Sequence, residues 1–218
     1  MAEENPPGSA NEPGAHEFST AASETLYVGK IFALRADEVR MPGGGTARRE
    51  VVEHFGAVAV LALDDDGSVV LIHQYRHPFG RRLWELPAGL LDFSGEPPHQ
   101  TAARELAEEV SLAAERWHTL VDLDSAPGFC DESVRVFLAT GLSEVDRPQA
   151  HDEEADLVVR RVPLSEAVQM VFSGEMVNAI SVAGILAAQV MSDVASLRPV
   201  DAPWTDRPSA FSTRMGHR

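Results

Sequence analysis

The stretch from Gly89 to Leu112 reads GLLDFSGEPPHQTAARELAEEVSL. Its core, Arg104-Glu105-Leu106-Ala107-Glu108-Glu109, packs three carboxylates and a guanidinium into six residues. Pro97 and Pro98 stand where a helix start tolerates proline. Ala102, Ala103, Leu106 and Val110 supply an apolar stripe at helical spacing. On that helix Glu105 and Glu109 share a face, with Glu108 on the adjoining flank. Stacked like charges repel, and a divalent cation removes the conflict. Hard oxygen ligands at this spacing suit Mg²⁺, which keeps several waters and takes a few carboxylates plus substrate phosphates. Arg104, four before Glu108, can anchor a carboxylate. The bland alternative is a solvated charged face. Against it stands the apolar Trp84-Glu85-Leu86-Pro87-Ala88-Gly89, which ends in a turn signal and gives the helix a loop able to bring backbone groups to a ligand.

With those residues in place, the stretch resembles the box of the Nudix hydrolases. That box runs Gly, five residues, Glu, seven residues, then Arg-Glu-aliphatic-x-Glu-Glu-x-Gly-aliphatic. Gly89, Glu96, Arg104, Glu105, Leu106, Glu108, Glu109 and Leu112 follow it, with two departures. Six residues separate Gly89 from Glu96, and Ser111 replaces the box glycine. The first is a loop insertion. The second matters if the position needs positive φ, where a non-glycine residue costs roughly 1–2 kcal/mol. The resemblance implies an α/β (α+β) Nudix fold, a mixed β-sheet between helices. It also implies a metal set of Glu105 and Glu109 with help from Glu108 and the Ala88 carbonyl, and Glu109 in the catalytic machinery. The implied cofactor is Mg²⁺, with Mn²⁺ as the alternative.

Working outward, 218 residues with 44% hydrophobic content suffice for one good core and a small second unit. A formal net charge of −16 argues against nonspecific binding to nucleic acid or an anionic membrane, which needs clustered Lys and Arg. Cys130 is the single cysteine, so no intrachain disulfide forms, which fits a reducing compartment and a structural thiol. No run approaches the roughly 20 apolar residues of a membrane span. The start, MAEENPPGSANEPGAHEFSTAAS, has no basic n-region or apolar h-region. A cytoplasmic protein with a disordered tail over 1–22 is expected.

Residues 24–40 suggest two strands around Gly29, and Arg48 to His54 a third, giving a small antiparallel β domain over 23–56. Met41 to Gly45 is a turn, lacking the Lys-Ser/Thr of a phosphate loop. Ala57 to Leu63 reads as a strand buried on both faces. Asp64-Asp65-Asp66-Gly67 reads as a hairpin turn before a return strand Ser68–Arg76. Strands are expected at 120–123, 134–139 and 157–162, helices at 165–172 and 177–191, and a loose tail at 205–218. The catalytic domain is set at 57–204. No internal repeat is visible, and the eight histidines show no metal spacing, so His54, His73 and His77 are structural or surface residues.

Within the family the chain resembles the ADP-ribose pyrophosphatase branch, of the bacterial, actinobacterial type. Pro127 of Ser125-Ala126-Pro127-Gly128 lies fifteen residues after Leu112, and Glu132 lies five further on. On composition alone Ala-Pro-Gly is an ordinary turn. The resemblance makes Pro127, Gly128 and Glu132 substrate-binding, Arg76 a pyrophosphate ligand, and Arg49 with Glu50 a pair reaching substrate from the partner of a homodimer that exchanges its N-terminal sheets. Arg81 is a further candidate. Each arginine could equally be a surface ion pair. Phe32 could stack on adenine or lie in the core. His151-Asp152-Glu153-Glu154 is an acidic loop; the resemblance makes Glu154, or else Glu153, the base, carried on a lid. The implied reaction is hydrolysis of ADP-ribose to AMP and ribose 5-phosphate. Alternatives are another nucleoside diphosphate derivative (a nucleotide sugar, dinucleoside polyphosphate or NADH) and a non-catalytic sensor of ADP-ribose or NAD metabolites.

Overall fold

Six consecutive apolar side chains at Ala57–Ala62 form the central strand β4, and all six are buried. This follows from position: β4 pairs in parallel with β9 (Ser133–Glu144) on one side and antiparallel with β7 (Ala88–Leu90) on the other. A strand inside a sheet with both faces covered must be apolar throughout. Residues 17–146 and 156–216 are described by this computed structural model.

β8 (Leu112–Asp124) and the two-residue β11 (Arg198–Pro199) complete a five-stranded mixed sheet, ordered β11-β8-β9-β4-β7. β10 (Val158–Pro163), β5 (Ser68–Arg76) and β6 (Arg81–Glu85) form a second, three-stranded sheet. The single mixed sheet expected from sequence is therefore two. Alternate residues of β4 and β9 serve two cores. Ala59, Leu61, Val136 and Leu138 face α2 (Leu164–Ser173) and α3 (Ala179–Val190). Val58, Val60, Ala62 and Phe137 face the box helix α1 (Pro98–Val110). The sheets thus lie between helices, as the resemblance implied.

The turn after β4 forms as expected, with Gly67 at φ 81° and Asp64 N–H donating to Ser68 O at 2.8 Å. The hairpin does not. Leu63 and Val69 share one isolated bridge, and β5 then leaves for the second sheet. The pairing edge of β4 is already taken by β9 and β7. Two short strands, β6 and β7, lie where sequence showed only an apolar run with a turn.

β1 (Ser19–Val28), β2 (Phe32–Arg40) and β3 (Thr46–His54) make the N-terminal antiparallel sheet. β1 starts within the stretch assigned to the tail. The 205–218 segment is not all loose either: α4 (Ala210–Arg214) buries Phe211 against Phe55, ring centroids 4.5 Å apart. Polar composition hid one anchoring aromatic.

Candidate active site

α1 starts at Pro98, capped by Pro97. Its buried face is Thr101, Ala102, Leu106 and Glu109. Ala103, expected in the stripe, is exposed, and a carboxylate takes a place on the apolar side instead. Burying Glu109 demands a partner, and Ala88 N–H supplies it, donating to Oε2 at 2.9 Å. Glu105 lies one helical turn earlier against the next residue of β7. A Cβ on Gly89 would stand 2.1 Å from Glu105 Oε1, so only glycine leaves the carboxylate its place. The box glycine and both carboxylates therefore meet at one point on the Ala88–Gly89 backbone.

Arg104 gathers the remaining acids. Its Nη1 donates to Glu105 Oε1 at 2.7 Å and Glu108 Oε2 at 2.9 Å, and its Nη2 donates to Glu96 Oε2 at 3.2 Å. Thr101 Oγ1 donates to the same Glu96 oxygen at 2.8 Å, and the Phe93 ring lies 4.6 Å from the guanidinium. Burial opposes the charges on Glu96 and Arg104, but their mutual contacts win: Glu96 titrates below, and Arg104 above, its ordinary value. Glu105 behaves oppositely. Burial pushes its carboxyl up to about 7, with Arg104 pulling down and Glu108 and Asp92 adding repulsion. One arginine divided among three carboxylates does not offset the desolvation of the deepest. The cluster retains unneutralised acidity against a backbone cradle, a donor set that fits a hard divalent cation. Among the described residues, no three acidic, histidine or cysteine side chains already converge on one point.

The two departures from the box have local causes. The extra residue falls in a turn, where Glu96 N–H donates to Phe93 O at 3.3 Å and Gly95 has φ 78°. Ser111 caps α1 at φ 57°, ψ 38°, with its N–H donating to Ala107 O. Among the described residues it is the only non-glycine residue with positive φ. The box glycine position does need the left-handed region.

The expected substrate residues separate into two places. Arg49, Glu50, Pro127 and Gly128 line one cleft of ≈470 Å³ with Asp37, Asp206 and others. The loop carrying Pro127 is laced to β3: Val52 N–H donates to Phe129 O at 2.8 Å, and Asp131 N–H to Val52 O at 3.0 Å. Glu132 lies outside this lining, pairing with Ser125 Oγ and standing 3.4 Å from His54 Nδ1. Arg76 ends β5 and donates to Glu85 at 2.6, 3.0 and 3.2 Å. Arg81 begins β6 opposite it in register. Phe32 packs near Tyr27 at 5.7 Å, outside the cleft lining. His73 stacks on Trp84 at 4.4 Å, and Cys130 bridges to Val52. Glu153 and Glu154 lie outside the described residues.

Two supporting residues escaped the sequence reading. Glu85 is almost fully buried and receives both Arg76 and Gln74. Ser181 on α3 accepts from Leu86 N–H at 2.9 Å, fixing the strand just before Ala88. A lone acid in the apolar run Trp84-Glu85-Leu86 was the available signal for the first; nothing in sequence marked the second.

The family description "NUDIX domain" matches residues 53–179, and "Nucleoside diphosphate sugar hydrolase N-terminal domain" matches residues 19–52. The chain is 62% identical to the ADP-ribose pyrophosphatase of Mycobacterium tuberculosis over 93% of its own length and 99% of the relative's. It is 40% identical to the ADP-ribose pyrophosphatase of Bacillus subtilis over 75% of its length and 88% of that protein's. The crystal structure of an ADP compounds hydrolase superposes with a TM-score of 0.71 at 21% identity, covering 82% of this chain and 95% of that one, a likeness of fold. The helix that seats two glutamates on a glycine cradle lies within the matched residues, and the chain belongs to the Nudix family.

Proposed function

We propose that this chain hydrolyses ADP-ribose to AMP and ribose 5-phosphate, dependent on a divalent cation, with Mg²⁺ the expected ion and Mn²⁺ the alternative. The observation that carries the reaction class is the docking of Glu105 and Glu109 on the Ala88–Gly89 backbone. The substrate assignment is supported by the near full-length likeness to proteins named ADP-ribose pyrophosphatase. Glu105, Glu109, Glu108 and the Ala88 carbonyl would hold the cation, which supplies charge neutralisation at the diphosphate and a more acidic water. Arg104, itself held by Glu96, keeps Glu105 and Glu108 oriented, and the Ala88 N–H keeps Glu109. Arg76, fixed by Glu85, presents a guanidinium suited to phosphate oxygens. Arg49, Glu50, Pro127 and Gly128 form the cleft for the rest of the nucleotide, with Glu132 bracing the loop and Arg81 beside Arg76. Glu154, or Glu153 in reserve, is the proposed base.

We also propose that the working form is a homodimer in the cytoplasm. β1 is exposed along its whole length, and Phe18, Leu26, Tyr27, Val28 and Ile31 form an apolar surface that a second copy would cover. No described helix is long and apolar enough to cross a membrane. The single cysteine supports a reducing compartment.

A second reading is favoured by the N-terminal match to nucleoside diphosphate sugar hydrolases: a nucleotide sugar as substrate. Purified protein is assayed with Mg²⁺ on ADP-ribose and on nucleotide sugars. AMP release with the highest kcat/KM on ADP-ribose supports the first reading. Preference for a nucleotide sugar supports the second, and folded protein that releases no nucleotide refutes both.

A further inference from the structure

The ≈470 Å³ cleft has a third wall that neither the box nor the Pro127 loop supplies. Its volume lies in the range of small-molecule sites, roughly 300–1,000 Å³. One side comes from β2 and β3, another from the 124–131 loop, and Asp206 comes from a strap running from Arg198 to Arg214. That strap is fastened at both ends by buried charge. Near its start, Arg135 donates to both oxygens of Asp122 at 2.7 and 3.0 Å and to the carbonyls of Ala202 and Pro203 at 2.7 and 3.1 Å. The Trp204 ring lies 4.8 Å from the same guanidinium, and its Nε1 donates to Ser133 Oγ at 3.0 Å. Near its end, Phe211 is fully buried, and Arg214 donates to Glu53 at 2.8 and 3.0 Å. Between them Pro208 closes on Gly56. Asp206 is exposed, yet its backbone is held from both directions.

Two other cleft carboxylates are committed, while Glu50 and Asp124 line the cleft from β3 and the end of β8, outside the strap. Asp37 accepts from Arg35 Nε at 2.9 Å, and Asp131 accepts from His54 N–H at 2.7 Å. We propose that Asp206 is a specificity-determining residue of the cleft. Its carboxylate accepts a hydrogen bond from a hydroxyl or amino group on the nucleotide derivative, and the strap exists in part to hold it there. A carboxylate repels phosphate, so it reads an uncharged, donor-bearing part of the ligand. This rests on the reading that the cleft takes the nucleotide substrate.

The test is steady-state kinetics of the full chain with Mg²⁺, comparing wild type, Asp206→Asn and Asp206→Ala on ADP-ribose and on a nucleotide sugar. Loss of a hydrogen bond to a charged acceptor predicts a KM about tenfold higher for Asp206→Ala on the preferred substrate, with kcat within about twofold. Asn, which keeps a neutral acceptor, falls between. The melting temperature should stay within about 1 °C, since the side chain is exposed. A wild-type enzyme whose KM is unmoved by either variant overturns the proposal and leaves the proposed function standing. So does a fall in kcat alone or an equal effect on both substrates. An inactive wild type overturns the proposed function and this inference with it.

Discussion

Ser111→Gly should stabilise the protein without touching its chemistry. Ser111 sits at φ 57°, ψ 38°, where an L-residue crowds its own carbonyl at roughly 1–2 kcal/mol. The conformation is imposed from both sides. Ser111 N–H donates to Ala107 O at 3.0 Å, closing α1, and Ser111 O accepts from Val145 N–H at 3.0 Å, tying the exit to the end of β9. Glycine keeps both backbone bonds and removes the crowding. It also loosens the unfolded chain, which costs about 0.4–1 kcal/mol. The net gain is about 0.5–1 kcal/mol. At about 2–4 °C per kcal/mol for a chain of this size, the melting temperature should rise about 1–4 °C. Thermal melts of wild type, Ser111→Gly and Ser111→Ala in EDTA make the comparison. Alanine keeps the Cβ and should gain nothing. An equal rise with alanine would show that the hydroxyl, not the left-handed backbone, was the burden. A fall with glycine would refute the strain argument outright.

In metal-free protein, Glu105→Gln should be stabilising at pH 8 and close to neutral at pH 4. Its folded value of about 7 lies above the ordinary 4.5. Its stabilising effect is therefore complete below 4.5 and lost as pH rises through 7, about 3 kcal/mol at 1.4 per unit. If the proposed cation is Mg²⁺, its addition should stabilise wild type and the same variant should lose that gain; equal metal response in both would remove Glu105 from the ligand set. Gly89→Ala should displace the Glu105 carboxylate, a flexible group, so stability changes little while Mg²⁺ affinity or kcat drops about 10–100-fold; unchanged metal affinity and kcat would disprove the cradle. Arg214→Met should cost about 1–3 kcal/mol by stripping Glu53 of one of its two arginine partners. Glu53 is held below its ordinary value first by Arg214, so that loss is full above pH 4.5 and shrinks as pH falls. A penalty that grew in acid would contradict the ion pair.

The box helix was legible because its signal is local: proline start, helical period and charge spacing all fall within 24 residues. Even there the apolar stripe misled, since Ala103 and Glu109 exchange sides once β7 offers a backbone donor. The β4–β5 hairpin failed for a nonlocal reason. A turn fixes direction, but which edge is vacant depends on β9, some seventy residues later. Glu85 reads as one acid in an apolar run, and only the fold reveals that it faces Arg76. Arg49 and Pro127 were named by family likeness, and their common cleft exists because Val52 pairs with the loop across a gap no periodicity spans.

α4 carries a consequence for how the chain is made. Phe211 covers Phe55, and Arg214 donates to Glu53 across 161 residues and to Thr25 across 189. During synthesis the first sheet therefore emerges without the cap of its own core. A three-stranded sheet is marginal alone, and the outer strand of this one exposes Leu26, Tyr27 and Val28 at its end. For most of translation it is a surface open to misassociation. The first strands made are among the last to be secured, and chaperone occupancy on nascent chains should concentrate there until the 205–214 segment clears the ribosome.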